Sequence, residues 1–170
     1  AFYTMQVQKI SVLNLILSLR TYGMAGARIG ICVGNKDIVE QLRILKSNID
    51  YGMFLPIQKA AIAALTQDQS CVVETRMQYQ KRRDMLVKGL HEAGWDVDAP
   101  KATMFMWAQI PQSYEDSEVF AYDLLKKTGM LITPGTEFGE LGRKFVRIAL
   151  VQSEEIIEKA LISVKESGFF

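Results

Sequence analysis

Between Ser18 and Gly30 the chain reads SLRTYGMAGARIG, a glycine-rich turn set between two apolar segments. No other stretch constrains the fold as tightly. The apolar run Ser11 to Leu19 has the length of a buried strand, and Ala27 to Val33 (ARIGICV) reads as a second. A turn with Gly23, Gly26 and Gly30 exposes backbone N–H groups that can hold an anion such as a phosphate, with Arg28 supplying a bidentate charged fork. A plain connection carrying a solvated arginine has the same sequence, so the turn by itself leaves both readings open.

Helical patterns begin after the second strand. Gly34-Asn35 ends that strand, and Asn35 is placed to N-cap a helix from Lys36 to Lys46 whose Ile38, Leu42 and Leu45 share one face. Strand, turn, strand and helix at this density indicate part of an α/β layer. After Asp50-Tyr51-Gly52 the texture changes. Pro56 suits the first turn of a helix through Leu65, and a long helix from about Gln69 to Ala93 is stopped by Gly94. Val72, Tyr79, Leu86 and Ala93 mark its apolar seam. A strand at Phe105 to Ile110, a helix from Ser117 to Thr128 ended by Gly129, a short strand at Met130 to Thr133 and a strand at Phe145 to Leu150 come next. Ser153 caps a last helix ending at Gly168, with Glu154 and Glu155 favourable to its dipole. The organisation expected is α/β overall: an α/β remnant over residues 1–50, then a separate α+β unit over residues 51–170.

Composition narrows the functional classes. Twenty basic and nineteen acidic side chains give a net charge of +1, which argues against nucleic acid as a partner. The one basic cluster, Lys81-Arg82-Arg83, lies in a helical pattern and reads as a solvated face. No run of 18 apolar residues exists, so no membrane partner is expected. Ser11, Asn14 and Ser18 interrupt the apolar run near the start, which is not a convincing signal peptide. Cys32 and Cys71 lack any motif context and read as free thiols acting as small hydrophobes, consistent with a cytoplasmic protein. With His91 as the one histidine, no metal site is expected. The chain starts at Ala1 in what reads as mid-domain sequence, so a piece of something longer is expected.

Two segments carry a resemblance. TYGMAGARIG with the following VGNKDIVEQLRILKSNIDYGMFLPIQKAAIAAL, and PGTEFGELGRKFVRIAL about a hundred residues later, resemble the class I/II aminotransferases of pyridoxal-phosphate fold type I. The likeness runs from about Thr21 to the end, in the family's order and spacing. It implies the end of a large domain followed by the small domain. It also implies pyridoxal 5′-phosphate as cofactor, amino acid and 2-oxo acid as substrates, and a homodimer. Arg28 matches the arginine that holds the cofactor phosphate, and Arg147 the one that grips the substrate carboxylate. Asn48, Tyr51 and Gly52 match the segment lining the active-site mouth, and Pro134, Gly135, Phe138 and Gly139 match a Pro-Gly-x-x-Phe-Gly turn.

The departures are equally informative. Family members read Ser-x-Ser-Lys-Thr-Tyr ahead of Gly-Met-Ala-Gly, and that lysine forms the Schiff base with the cofactor. Here its position is Arg20, and Leu17 and Leu19 stand at the serines. A guanidinium stays protonated and does not replace a lysine as nucleophile or as proton shuttle. The chain alone is therefore expected to be inactive, either as the C-terminal part of an aminotransferase or as a degenerate, non-catalytic binding or assembly module. Tyr22, Tyr51 and Trp107 are otherwise core or interface residues, Met104, Phe105 and Met106 packing residues, and His91 a helix-end residue.

Overall fold

The computed structural model describes residues 13–16, as backbone, and residues 21–170. The chain divides into two compact units, residues 1–76 and 77–170. The division falls further along the chain than the change of texture at residue 50, inside a helix.

The first unit opens with strand β1 (Leu13–Ile16), antiparallel to β2 (Ile31–Gly34), with Leu13 opposite Gly34 and Ile16 opposite Ile31. The second strand starts later than Ala27. Residues Ala25–Ala27 form a 3-10 turn closed by Ala27 N–H to Met24 O at 2.9 Å, and Arg28 has a left-handed backbone (φ 51°) that interrupts extension. Helix α1 (Lys36–Asp50) is capped as expected, Asn35 Oδ1 accepting from Asp37 N–H at 2.8 Å and Ile38 N–H at 3.4 Å. It continues past Lys46 to Asp50, where Tyr51 takes a left-handed conformation. Its spacing is amphipathic, yet Leu42 and Leu45 are exposed, because no described residue covers that face. Helix α2 (Leu55–Thr66) has Pro56 in its first turn, and α3 (Ser70–Glu92) begins here.

The second unit holds the large core. Strands β3 (Phe105–Gln109), β4 (Thr133–Pro134) and β5 (Phe145–Ala149) form an antiparallel sheet in the order β3-β5-β4. The expected strand at Met130 to Thr133 is displaced to two residues on the sheet edge, where Pro134 lacks an N–H to extend the ladder. Alternation assigns the faces: Met106, Ala108, Val146 and Ile148 point inward and are buried. They join Leu86 and Leu90 of α3, Phe120 and Leu124 of α4 (Ser117–Thr128), and Ile157 of α5 (Glu154–Glu166) in one cluster. Trp95 closes it, edge-on to Phe120 (5.1 Å between centroids), with its indole N–H donated to Gln109 O at 2.9 Å. Asp116 caps α4 through Glu118 N–H (2.7 Å), and Ser153 caps α5 through Ile156 N–H (3.4 Å).

The basic cluster on α3 is not a solvated face. Arg82 donates to the carbonyls of Leu150 and Val151 at 3.4 Å, and Arg83 donates to Pro100 O at 3.2 Å, so two of its three cations tie loops to the helix. Both thiols are free, Cys32 half-buried and Cys71 exposed. His91 Nε2 donates to Val97 O, 2.7 Å away, at the helix end. Among the described residues no helix is long and apolar enough to cross a membrane, and no His/Cys/Asp/Glu cluster is fit to hold a metal.

Candidate functional site

Two arginines stand out, one in each unit. Arg28 follows the 3-10 turn, and its left-handed backbone turns the chain back toward β2. Its side chain is exposed and bonds to no described residue. A Cβ built on Gly23 or Gly26 meets no described atom within 4 Å, so the outer side of the turn is open among the described residues. Gly23 itself has φ 67°, which explains the residue type there. The turn is anchored from behind. Tyr22 Oη donates to Gln69 Oε1 at 2.7 Å, while the Gln69 amide donates to Gln67 O at 2.7 Å and Ala64 O at 3.0 Å. Tyr22 is thus a brace for the turn rather than a core residue. Arg20, with Leu17 and Leu19, lies outside the described residues.

Arg147 occupies the middle of the central strand β5, opposite Trp107 on one side and Thr133 on the other. Its neighbours Val146 and Ile148 are buried, so alternation sends Arg147 to the opposite face with Phe105, Trp107 and Phe145. That face is aromatic. The guanidinium carbon lies 4.5 Å from the ring centroid of Phe105 and 4.5 Å from that of Phe138, inside cation–π range of each. Trp107 is stacked on Phe145 at 5.7 Å and edge-on to Phe138 at 5.6 Å. The Arg147 Nε–H is buried and meets no acceptor among the described residues, and no ion pair joins this guanidinium to a described carboxylate. A half-buried arginine held by rings instead of acids keeps its terminal N–H fork open to an incoming carboxylate.

Phe138 reaches this position through a tight backbone crossing. The 3-10 turns Gly135–Phe138 and Glu140–Gly142 meet at Gly135 and Gly142, and a Cβ on Gly135 would lie 2.5 Å from Phe145 O. Gly139, at φ 113°, makes the bend between them. Thr136 Oγ1 donates to Glu118 Oε1 at 2.9 Å, linking the turn to the first residues of α4.

The remaining expected positions differ in what they do. Asn48 spends its side-chain amide on Ile44 O (2.8 Å) within α1, whereas Tyr51 is 98% exposed beside Gly52 (φ 123°). Tyr51 is no core residue in this chain. Trp107, 42% exposed, is not one either. Phe105 is the residue that sequence reasoning missed: read as packing, it is one wall of the Arg147 site. The available signal was its place two residues before Trp107 on an alternating strand.

Comparison with known proteins gives a consistent assignment. Residues 20–164 match the family described as aminotransferase class I and II. The chain is 49% identical over 148 residues to the glutamate–pyruvate aminotransferase AlaC of Escherichia coli (strain K12), covering 86% of this chain and 36% of that protein. It is 44% identical to an LL-diaminopimelate aminotransferase of Halothermothrix orenii, covering 87% of this chain and 38% of that protein. Among solved structures, an aminotransferase from Staphylococcus aureus superposes with a TM-score of 0.84 at 31% identity, covering 92% of this chain and 42% of that one. The chain thus spans little more than a third of the length of the curated relatives it matches. Sequence and fold agree, and this chain belongs to the family of class I and II aminotransferases.

Proposed function

We propose that this chain is the C-terminal part of a pyridoxal-phosphate-dependent aminotransferase of amino-acid metabolism, a cytoplasmic homodimer that moves an amino group from an amino acid to a 2-oxo acid. Residues 1–50 belong to its large domain and residues 51–170 are its small domain. The observation that carries the reading is Arg147: a half-buried guanidinium within 4.5 Å of two phenylalanine rings, with no acid among the described residues paired to it. Such a fork accepts a planar carboxylate in two parallel charge-assisted bonds.

The family's cofactor is pyridoxal 5′-phosphate, which when bound supplies an electron sink for chemistry at the substrate Cα. The residues of this chain fit one end of it. The open turn at Gly23 and Gly26, with the exposed Arg28 beside it, has the room and the charge for a phosphate. They do not fit the other end. Position 20, where the family places its lysine, carries arginine, and a guanidinium neither bonds to an aldehyde nor gives up its proton at neutral pH. Arg28 therefore binds and Arg147 orients, and no step of the reaction is carried by this chain alone.

Arg20 together with Leu17 and Leu19 also favours a second reading, a non-catalytic member used for binding or assembly. One experiment tests the chemistry expected of the chain. The purified chain is titrated with pyridoxal phosphate, reduced with borohydride and mapped by peptide mass spectrometry, in parallel with assays of amino transfer to 2-oxoglutarate. No turnover and no single labelled lysine is the expected result. Turnover, or label on one lysine, overturns the assignment of Arg20 and the expected inactivity. Phosphate-dependent binding that Arg28→Ala abolishes, without turnover, supports Arg28 as the phosphate contact, which both readings require.

A further inference from the structure

We infer that Phe105 and Phe138 are positioning residues for Arg147, taking the place of the acidic counter-ion that a half-buried arginine ordinarily needs. The inference rests on the reading of Arg147 as a carboxylate clamp and names what holds that clamp in shape.

A guanidinium removed from bulk water needs compensation, and carboxylates are the usual source. An internal carboxylate would also compete with any carboxylate ligand for the same N–H edges. Rings solve both problems. The quadrupole of a phenyl face attracts the cation without taking up any of its N–H donors. Both centroids lie 4.5 Å from the guanidinium carbon, and among the described residues no carboxylate is paired with it. The inner edge, at Nε, is buried and unpartnered among the described residues. The outer edge, carrying the two terminal nitrogens, is the one a ligand meets.

The two walls come from different places and have different freedom. Phe105 sits on β3, opposite Ala149 and diagonal to Arg147 across the ladder, so its ring is fixed by strand register. Phe138 is 52% exposed and is delivered by the 3-10 turn that Gly135 and Gly142 pin together. Trp107 supports it edge-on. Phe138 is therefore the wall that substitution removes with least damage to the core.

The test uses the full chain and acetate, the simplest carboxylate, followed by nuclear magnetic resonance at the Arg147 Nε–Hε group. Burial slows exchange of that proton with water, and stacked rings shift it upfield. The wild-type cross-peak is expected to lie upfield and to move on addition of acetate. In Phe138→Leu the upfield displacement shrinks and acetate binds roughly tenfold more weakly, the equivalent of one partly desolvated cation–π contact of ~1.4 kcal/mol. Phe138→Tyr, which keeps the ring, restores both. Thermal melting of each variant is followed alongside, because a purely structural role would lower the melting temperature without the rescue by tyrosine. An Arg147 proton without upfield displacement, or unchanged acetate affinity in Phe138→Leu, overturns the inference and leaves the clamp standing. A wild-type cross-peak indifferent to acetate overturns the clamp itself, and the positioning role falls with it.

Discussion

Gly135 and Gly142 meet backbone to backbone. A Cβ added to either would fall inside the van der Waals shell of the other's carbonyl oxygen, and one on Gly135 would also lie 2.5 Å from Phe145 O. The two turns that present Phe138 to Arg147 are therefore held at a distance only glycine permits. Gly135→Ala is expected to destabilise the second unit by about 1–3 kcal/mol, since the obstacle is backbone and has no rotamer to escape into. Gly89→Ala is the control: its Cβ would crowd Leu161, but the atoms in the way are the end of a side chain that can rotate. Urea midpoints should fall further for Gly135→Ala than for Gly89→Ala.

Phe120 is the centre of the aromatic cluster, fully buried, edge-on to Trp95 at 5.1 Å and to Tyr114 at 5.2 Å. Phe120→Ala removes a ring from a packed site shared with Trp95, Tyr114, Phe169 and Phe170. The expected loss is about 3–5 kcal/mol, enough to unfold a marginal unit at room temperature. Circular dichroism and the loss of buried-tryptophan fluorescence from Trp95 report it.

Much of this architecture was legible because it is local. Asn35, Asp116 and Ser153 cap their helices through atoms two or three residues away, and a short window of sequence contains both partners. Gly129 ends α4 in the left-handed conformation its residue type implies. The failures are non-local. Residues 27–30 look strand-like by hydropathy, but closure of the preceding 3-10 turn fixes Arg28 in a conformation that hydropathy does not report. Met130 to Thr133 has strand propensity, but only Thr133 and Pro134 face a partner, and that partner is the distant β5. In the same way the ring pair around Arg147 joins β3, a 3-10 turn and β5, so the family resemblance pointed to the arginine but not to Phe105.

Asn35 makes a clean test of the local part. Its carboxamide oxygen holds two N–H groups of the first turn of α1. Asn35→Ala is expected to cost about 1 kcal/mol and Asn35→Ser much less, because serine also caps. Hydrogen exchange at the first turn of α1 should rise in the alanine variant while the amides of β5 remain protected.

The Tyr114 hydroxyl donates to Asp123 Oδ2 at 3.1 Å. Burial and the adjacent Asp123 carboxylate together raise its phenol above the ordinary range. In the unfolded chain the phenol loses its proton first as pH rises. The unfolded state then binds fewer protons than the folded one, and stability falls with increasing pH. The contribution is fully present below the ordinary phenol value of about 10 and disappears as pH climbs through the folded value above it. Tyr114→Phe should flatten the alkaline limb of a plot of melting temperature against pH. An unchanged limb would show that other groups govern it.

Arg147→Lys keeps the charge and removes the geometry. An ammonium is compact and has no plane, so it cannot stack on Phe105 or Phe138 as a guanidinium can and cannot present two parallel N–H bonds to one carboxylate. The position lies on β5 between fully buried Val146 and nearly buried Ile148, so the strand and the core on its other face are undisturbed. The variant should therefore fold, with a melting temperature close to that of the wild type, while binding acetate or 2-oxoglutarate at least about tenfold more weakly, as expected when a two-bond charged contact becomes a point charge. Both ligands are titrated by isothermal calorimetry or by resonance shifts at Trp107, which shares the ladder position with residue 147. Equal affinity of lysine and arginine at this position would mean that charge alone holds the carboxylate, and that the two rings are packing.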